Sequence, residues 1–309
     1  MSELLTVSSS PHIRHADSTR GIMGDVIIAL LPAAIYGCLL YKLSAVFLLV
    51  ATVVSAVAAE FIWNVLLRKK QTVGDLSAVV TGLLLGLNLS PTVPIWMAII
   101  GSVAAIIVVK QMFGGLGHNF VNPAIAARII LLVSFPSAMT SFVSPIDAVS
   151  GATPLAEPSG TYSLKTLFLG MHSGCIGESS AFLLLIGGIY LVLRRVISPI
   201  IPLSFVGTLA LCTLVSGGDV ASQVLSGGLM LGAIFMATDY TTSPAMPLGK
   251  LIFGIGCGVI TFAIRKFGSL PEGVSYAIIL MNILTPHIDR LVAAKPFGTL
   301  KKGARDSDK

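Results

Sequence analysis

The sequence predicts an all-α integral membrane protein with about ten transmembrane helices, arranged as two inverted repeats of five. The first observation is composition: 54% of the 309 residues are hydrophobic and 11% are charged, whereas soluble domains average about 25% charged residues. The second is that the apolar runs have helix length and lack the strict alternation of membrane barrel strands. The third is a set of three short motifs that occurs in the same order in each half of the chain.

The first half of the chain contains five apolar segments behind a polar arm. The arm covers 1–24, and the first repeat covers 25–135, with spans expected at 26–41, 43–67, 75–89, 94–109 and 124–135. The second of these segments ends in Arg68-Lys69-Lys70. Because basic residues are retained on the cytoplasmic side, this triplet predicts that the arm, two spans away, is cytoplasmic as well.

A polar segment separates the two halves. Residues 136–180 carry Lys165 as their only basic residue, and we expect this stretch to be an extracytoplasmic loop. The second repeat covers 181–292, with spans expected from 181 and at 199–215, 220–237, 248–264 and 274–292. The tail 293–309 is basic and is expected to be cytoplasmic and disordered.

The distribution of basic residues supports this topology in a bacterial or archaeal cytoplasmic membrane. With both termini inside, fifteen of the 20 Lys and Arg residues are cytoplasmic and Arg128 lies within a span. Four lie outside: Lys42, Lys165, Arg265 and Lys266. The adjacent pair Arg265-Lys266 is the exception that the topology does not explain. Because the net charge of +6 comes from span ends, the predicted contact is membrane lipid and not nucleic acid.

The two halves share an order of short motifs. The elements are Gly-Asp, Gly-x-x-x-Gly and Ser-Pro-x-x-Pro, at 74–75, 82–86 and 90–94 in the first half and at 218–219, 228–232 and 243–247 in the second. Since five is odd, a second copy starts from the opposite side of the membrane, which makes the repeats inverted. The alternative is that Gly-x-x-x-Gly and Ser-Pro are common in any membrane helix.

Cysteine and histidine do not form a metal site pattern. The four cysteines and five histidines are scattered singly, without the spacing of a zinc, haem or disulfide framework. We therefore expect no metal to be held by this chain alone.

One motif in the polar segment carries chemistry. It resembles the sequence on which flavin transferases esterify the phosphate of FMN to a threonine, and it reads Asp147-Ala-Val-Ser150-Gly151-Ala152-Thr153. The hydroxyl of Thr153 would be the acceptor, the small residues before it would leave room for a bulky donor, and Pro154 favours an extended, presented backbone. The alternative is an ordinary Ser-Gly turn.

A glycine-rich stretch before the fifth span is a second candidate. Gly114, Gly115 and Gly117, followed by Asn119 and Asn122, offer backbone N–H groups and amides to a polar ring edge or a phosphate. The alternative is a tight cytoplasmic turn with an asparagine cap at the helix start.

Charged residues at membrane depth are the remaining candidates. Asp239 could hydrogen-bond a flavin or assist cation movement, or simply accept from its own threonine neighbours. Arg128 requires a partner, such as Asp or backbone carbonyls. Glu60 is expected to reach interfacial water, whereas Asp75 and Asp219 are expected to cap helices.

Taken together, these features resemble a family of membrane redox subunits. The motifs are Ser10–Ile13, 25–33, Phe113–Gly117 with Asn122-Pro123-Ala124, the motif ending at Thr153, and Met236–Pro244. Their order is similar to that in the D subunits of Rnf electron-transport complexes and in the B subunits of sodium-pumping NADH:quinone oxidoreductases. The resemblance implies a ten-helix subunit with covalent FMN on Thr153, and by analogy with the quinone reductases a second, noncovalent riboflavin.

The function implied is electron transfer between ferredoxin and NAD, coupled to Na⁺ or H⁺ transport. The chain has no soluble dinucleotide domain and few cysteines, so partner subunits would supply the NAD site and the iron–sulfur centres, and a flavin transferase would mature Thr153. Quinone or a redox-sensing regulator remains open as an alternative acceptor. A solute or ion transporter remains open as a different class, since inverted repeats are a transporter feature.

Overall fold

The computed structural model describes residues 18–144, 151, 153–155, 162–178, 180–268 and 273–293. Within these ranges every regular element is helical, apart from one isolated bridge residue at Val143. The helices are α1 Thr19–Leu66, α2 Ser77–Leu87, α3 Ile95–Val103, α4 Pro123–Ser134, α5 Pro136–Met139, α6 Leu164–Leu169, α7 Ala181–Leu193, α8 Ile200–Val215, α9 Val220–Leu225, α10 Leu229–Leu231, α11 Pro247–Phe267 and α12 Val274–Val292. Helices α3 and α10 continue as π-helices, Ala104–Gln111 and Gly232–Met236.

Helix α1 consists of two long arms joined at one non-helical residue. Lys42 has φ 56° and ψ −142°, which breaks the helical direction where the sequence predicts a turn between two spans. Ser18 caps the first arm, with its Oγ accepting from Gly21 N at 3.1 Å. Each arm of about 23 residues is roughly 35 Å long, enough for the roughly 30 Å apolar thickness of a bilayer.

Helix length varies widely across the chain. Two helices, Thr19–Leu66 and Pro247–Phe267, are long and apolar enough to cross a membrane, and five apolar helices are shorter, at 10–17 residues. In the part of the chain that the structure describes, each of the ten predicted segments coincides with helical residues. Their crossing of a membrane as ten spans in two inverted repeats, and the division into five regions, stay predictions.

The predicted eighth span is broken in the structure, so a single helix over 220–237 is wrong. Helix α9 ends at Leu225 and α10 begins at Leu229, because Gly227 and Gly228 both take φ +66°. The matching glycine of the first half behaves differently. Gly82 lies inside continuous α2, where an added Cβ would be 2.8 Å from Thr52 O of α1. The two Gly-x-x-x-Gly elements therefore share sequence but not backbone.

The outer surface of the helical assembly is apolar. Val215 and Leu291 are 88% and 85% exposed, while Phe205 and Phe253 are fully buried. A large exposed apolar surface is typical of contact with membrane or with partner proteins, and it agrees with a membrane-associated protein.

Helices α8 and α11 approach each other through glycine. A Cβ on Gly258 would be 2.6 Å from Thr208 Cβ and 3.0 Å from Phe205 O, so only a glycine permits this spacing. The close packing brings the end of α11, with Arg265 and Lys266, beside α9.

Candidate functional site

The motif that ends at Thr153 is partly described. Asp147, Ser150 and Ala152 lie outside the described residues, whereas Gly151 and Thr153 are within them. Gly151 N donates to Phe142 O at 3.1 Å, and a Cβ on Gly151 would be 2.9 Å from Ser173 Oγ. The lack of a side chain at Gly151 therefore makes room for Ser173.

Thr153 is buried, with 4% of its surface exposed. Its backbone is non-helical, as the following proline predicts, but the expected presentation to solvent is wrong. The physical reason lies in the next residues, since Leu155 Cδ1 packs directly against Gly227 at the break between α9 and α10. Among the described residues the Thr153 Oγ1 atom has no hydrogen-bond partner, which is unusual for a buried hydroxyl.

A cavity of about 250 Å³ lies next to this turn, and we call it the Thr153 cavity. Its walls come from the turn itself, from the end of α8, from α9 and from the end of α11: Pro154, Leu155, Thr213, Ser216, Gly218, Asp219, Ser222, Gln223, Phe262, Arg265 and Lys266. Both members of the basic pair that the topology leaves unexplained therefore line one cavity beside the motif.

Arg265 donates hydrogen bonds to the backbone carbonyls at the C-terminal end of α9. Its Nη1 donates to Gln223 O at 2.5 Å and to Gln223 Oε1 at 3.1 Å, while Nη2 donates to Ser226 O at 3.2 Å and Gly227 O at 3.1 Å. The last carbonyls of a helix lack partners within it. Arg265 supplies those partners, which gives one of the two unexplained charges a structural role.

Asp219 is the cap residue at the start of α9. Its Oδ1 accepts from Ala221 N at 3.0 Å, and its Oδ2 accepts from Ser222 Oγ at 2.6 Å. The expected capping role of Asp219 is thus confirmed. Asp75 lies one position before the cap of α2, which is Leu76 and makes no side-chain cap bond, but its Oδ1 still accepts from Ser77 N at 2.8 Å.

His172 is a buried group that the sequence did not indicate. Its Nδ1 lies 3.2 Å from Ser173 O, so it donates there as Nδ1–H. Burial lowers the pKa of His172, and the backbone contact at Ser173 only partly opposes this. The imidazole of His172 is therefore neutral, and it lies next to Ser173, the residue that packs against Gly151. A lone histidine in a polar loop gives no sequence signal for such burial.

A second cavity, of about 90 Å³, collects three of the predicted polar residues, and we call it the Asp239 cavity. Asn119, Asn122 and Asp239 line it, together with Lys110 and Ser77. Asn119 Nδ2 donates to Val121 O at 3.1 Å and lies 3.5 Å from Asp239 Oδ2.

Asp239 is held by its own neighbours. Its Oδ2 accepts from Thr241 Oγ1 at 3.0 Å and from Thr242 Oγ1 at 3.2 Å. Burial raises the pKa of the Asp239 carboxyl, although these hydroxyls and Asn119 act in the opposite direction. The local threonine interpretation of Asp239 is therefore the one that the contacts match.

The glycine-rich stretch forms the turn beside this cavity. Gly114, Gly115 and Gly117 have φ of 119°, 94° and 90°, and the cavity wall includes none of the three among its lining residues. Asn122 caps α4, with Oδ1 accepting from Ala124 N at 3.0 Å. The interpretation as a turn with an asparagine cap matches these contacts.

The Asp239 cavity does not fit a flavin. Sites for ligands of that size occupy about 300–1,000 Å³, whereas this cavity measures about 90 Å³. A noncovalent riboflavin at Asn119, Asn122 and Asp239 has no room in this arrangement.

Glu60 belongs to a buried network, so the expectation that it reaches interfacial water is wrong. It has no exposed surface, and its Oε2 lies 2.8 Å from Lys110 Nζ. Its Oε1 accepts from Gln111 Nε2 at 3.1 Å and from Thr72 Oγ1 at 2.5 Å. Lys110 also donates to Ser77 Oγ at 2.6 Å. The π-helical segment that carries Lys110 and Gln111 turns both side chains toward Glu60.

Arg128 in α4 is buried and has several neutral partners. Its Nη1 donates to Asn88 Oδ1 at 3.1 Å and to Ser275 Oγ at 3.0 Å, and its Nη2 lies 3.5 Å from Cys175 Sγ. These three partners are an amide, a hydroxyl and a thiol, and the Glu178 carboxylate also lies near Arg128, since Glu178 Oε1 and Arg128 Nη1 approach the Cβ position of Gly228 to 3.1 and 3.9 Å. In the described part of the chain, no group of three metal-ligating side chains occurs.

Comparison with known proteins agrees with the motifs. The model of the NQR2, RnfD, RnfE family matches residues 6–298. The chain is 50% identical over 311 aligned residues to the D subunit of the Na⁺-translocating ferredoxin:NAD⁺ oxidoreductase complex of Acetobacterium woodii, covering 97% of this chain and 98% of that protein. It is 40% identical over 320 residues to the proton-translocating counterpart of Clostridium ljungdahlii, covering 96% and 97%.

Proposed function

Because the chain belongs to the NQR2, RnfD, RnfE family, we propose that it is the D subunit of an Rnf-type ion-translocating complex. In this role it takes part in electron transfer from ferredoxin to NAD⁺ that is coupled to Na⁺ or H⁺ transport, which is what its relatives' names state. Other subunits of the complex supply the NAD-binding and iron–sulfur sites.

The proposal includes a topology. Ten spans in two inverted repeats cross the cytoplasmic membrane, with both termini inside and the segment around Thr153 outside. Support comes from the basic residues, which lie mainly at the cytoplasmic ends of the segments. On this path the Thr153 cavity opens on the outer side and the Asp239 cavity lies on the inner side.

We further propose that Thr153 carries FMN as a phosphoester. The observation that supports this most directly is the Thr153 Oγ1 atom, which is buried and has no hydrogen-bond partner among the described residues. A free hydroxyl in that position leaves a donor unsatisfied, whereas an ester oxygen has no proton to donate. The adjacent cavity of about 250 Å³ gives a tethered group somewhere to lie.

The bound flavin would supply electron transfer chemistry, accepting electrons in pairs and releasing them singly. The chain's own residues position it. Leu155 holds the turn on the break beside α9, and Arg265 fixes the carbonyls of that break. Burial of Thr153 keeps water from the ester linkage.

The burial of Thr153 also constrains maturation. A transferase must reach a hydroxyl that is 4% exposed in the folded chain, so we propose that the turn at 153–155 opens, or is modified before it packs. No noncovalent riboflavin is included in the proposed function, since the Asp239 cavity is too small to hold one.

Mass spectrometry of the membrane-extracted full chain, co-expressed with a flavin transferase, tests the flavin proposal. The expected result is an FMN phosphoester on the peptide that contains Thr153, absent from Thr153→Ala. Thr153→Ser is the matched control, because it keeps the hydroxyl and should keep the adduct. An unmodified Thr153 under these conditions would refute the covalent flavin and leave the assignment to the family in place.

A further inference from the structure

The Thr153 cavity contains a positive charge that has no structural task. Arg265 is engaged by the carbonyls at the end of α9, and Asp219 is engaged by the start of α9. Lys266, in contrast, has no carboxylate within ion-pair distance among the residues described, and its Nζ lies 5.5 Å from the centre of the Phe262 ring. The cavity therefore offers an aromatic face and an uncommitted ammonium side by side.

The cavity is also within reach of Thr153. Pro154 and Leu155 form part of its wall, and two residues of extended chain cover at most about 7 Å. The volume of about 250 Å³ lies just below the range of about 300–1,000 Å³ that is usual for small-molecule sites. Thr153 itself is not a lining residue, so the ribityl phosphate chain of FMN would span the distance from its hydroxyl to the cavity.

We propose that the Thr153 cavity holds the isoalloxazine ring of the tethered flavin, with Phe262 against the ring and Lys266 beside its electron-rich edge. This inference rests on the proposed function, because it requires FMN on Thr153. The chemistry of the walls suits such a ring: an aromatic side chain packs on its face, and Gln223 and Ser222 offer polar contacts to its edge.

Lys266 then has a defined effect on the flavin. A positive charge close to the ring stabilises the reduced, more negative form, and charge near the ring nitrogens is one means by which a protein sets flavin potential. Lys266 is therefore a positioning and tuning residue, and removing its charge should shift the midpoint potential of the covalent flavin to more negative values.

The test uses the full chain co-expressed with a flavin transferase and purified in detergent. Mass spectrometry first measures FMN on Thr153, and Thr153→Ala gives the background from any noncovalent flavin. Potentiometric titration then compares the unsubstituted chain with Lys266→Gln. Lys165→Gln is the matched control, because Lys165 is an exposed lysine of the polar segment 136–180 that is outside the cavity wall.

Iodide quenching of flavin fluorescence provides a second readout. The covalent flavin of the unsubstituted chain should be quenched less than free FMN, and Phe262→Leu should increase the quenching, since it removes the ring without changing charge. The potential should become more negative in Lys266→Gln and stay unchanged in Lys165→Gln.

Two failures are distinguishable. If FMN is attached but is quenched as readily as free FMN, and Lys266→Gln matches Lys165→Gln, the ring lies elsewhere and the inference is overturned while the proposed function stands. If no FMN is found on Thr153, the inference and the proposed covalent flavin are both overturned, while the family assignment stands.

Discussion

Replacing Glu60 by methionine removes the carboxylate from a buried network and leaves its lysine partner charged. Lys110 Nζ, at 2.8 Å from Glu60 Oε2, would keep Ser77 Oγ as its remaining partner in the described contacts. The side chains of Glu60 and Lys110 are 0% and 3% exposed, so bulk solvent does not reach the position of the lost carboxylate. Removing one partner of such a pair typically costs about 3–5 kcal/mol.

The reverse substitution and the double variant give the sharper result. Lys110→Met should be destabilising by a similar amount, because it leaves a buried carboxylate. When both residues are methionine no charge remains in the pair, and a well-packed apolar replacement of a buried pair is often neutral or favourable. Gln111 Nε2 would still lose its acceptor, at a cost of about 1–3 kcal/mol. The double variant should therefore be less destabilised than the sum of the two single variants.

The free energy of unfolding, from SDS titration of the full chain in detergent micelles, measures this coupling. The matched control is the pair formed by Arg194 and Asp25, with Nη2 to Oδ2 at 3.2 Å; its arginine side chain is 59% exposed and its aspartate side chain 13% exposed. Arg194→Met should cost no more than about 1 kcal/mol. Additive effects of Glu60→Met and Lys110→Met, or a cost no larger than that of the control, would refute the buried-pair reasoning.

Two further predictions concern the sites themselves. Asp239→Asn should leave the hydrogen bonds from Thr241 and Thr242 in place and be at least as stable as the parent at neutral pH. Because the pKa of Asp239 is raised, the stability that its carboxyl contributes is complete below the ordinary pKa of 3.8 and is lost as the pH rises through the pKa of the folded state. The advantage of Asn in thermal unfolding should therefore grow from about pH 4 upward, and an advantage that shrinks would contradict the burial argument. Gly227→Ala should destabilise the chain more than Gly217→Ala in the same assay. Both glycines have positive φ, of +66° and +73°, which costs an L-residue about 1–2 kcal/mol, but only at Gly227 does the new Cβ meet Leu155 and Arg265. Equal losses of stability would show that Leu155 does not pack tightly against the break between α9 and α10.

The helical segments could be predicted from the sequence because apolar run length and turn residues are local signals. The joint at Lys42 falls between two predicted spans, and Pro123 and Pro247 begin helices where proline is expected. The break at Gly227 and Gly228 was not predicted, since glycine inside an apolar run is also typical of close helix packing. Gly82 and Gly258 pack in that second way, and sequence alone does not separate the two uses.

Burial of individual polar residues was the part that could not be predicted from the sequence. Glu60 and Lys110 are 50 residues apart, and a carboxylate six residues from a helix end looks solvated until the second helix is placed against it. Thr153 is similar: Pro154 predicts its extended backbone, but its exposure depends on where Leu155 packs, which is decided by a helix break more than 70 residues later. Local rules determine conformation, and long-range packing determines which polar atoms lose contact with water.

The basic pair Arg265-Lys266 is relevant both to the proposed topology and to the proposed flavin site. On the proposed topology the pair lies on the outer side of the membrane, where positive charges are disfavoured, so a compensating interaction is expected. Arg265 finds it in the carbonyls of α9, which carry the partial negative charge of a helix C-terminus. Lys266 has only the Phe262 ring among the described contacts, and an aromatic ring compensates a charge weakly at an exposed position. An anionic or electron-rich group on Thr153 would supply the missing partner, which is why the redox potential of that group should depend on Lys266 and not on Lys165.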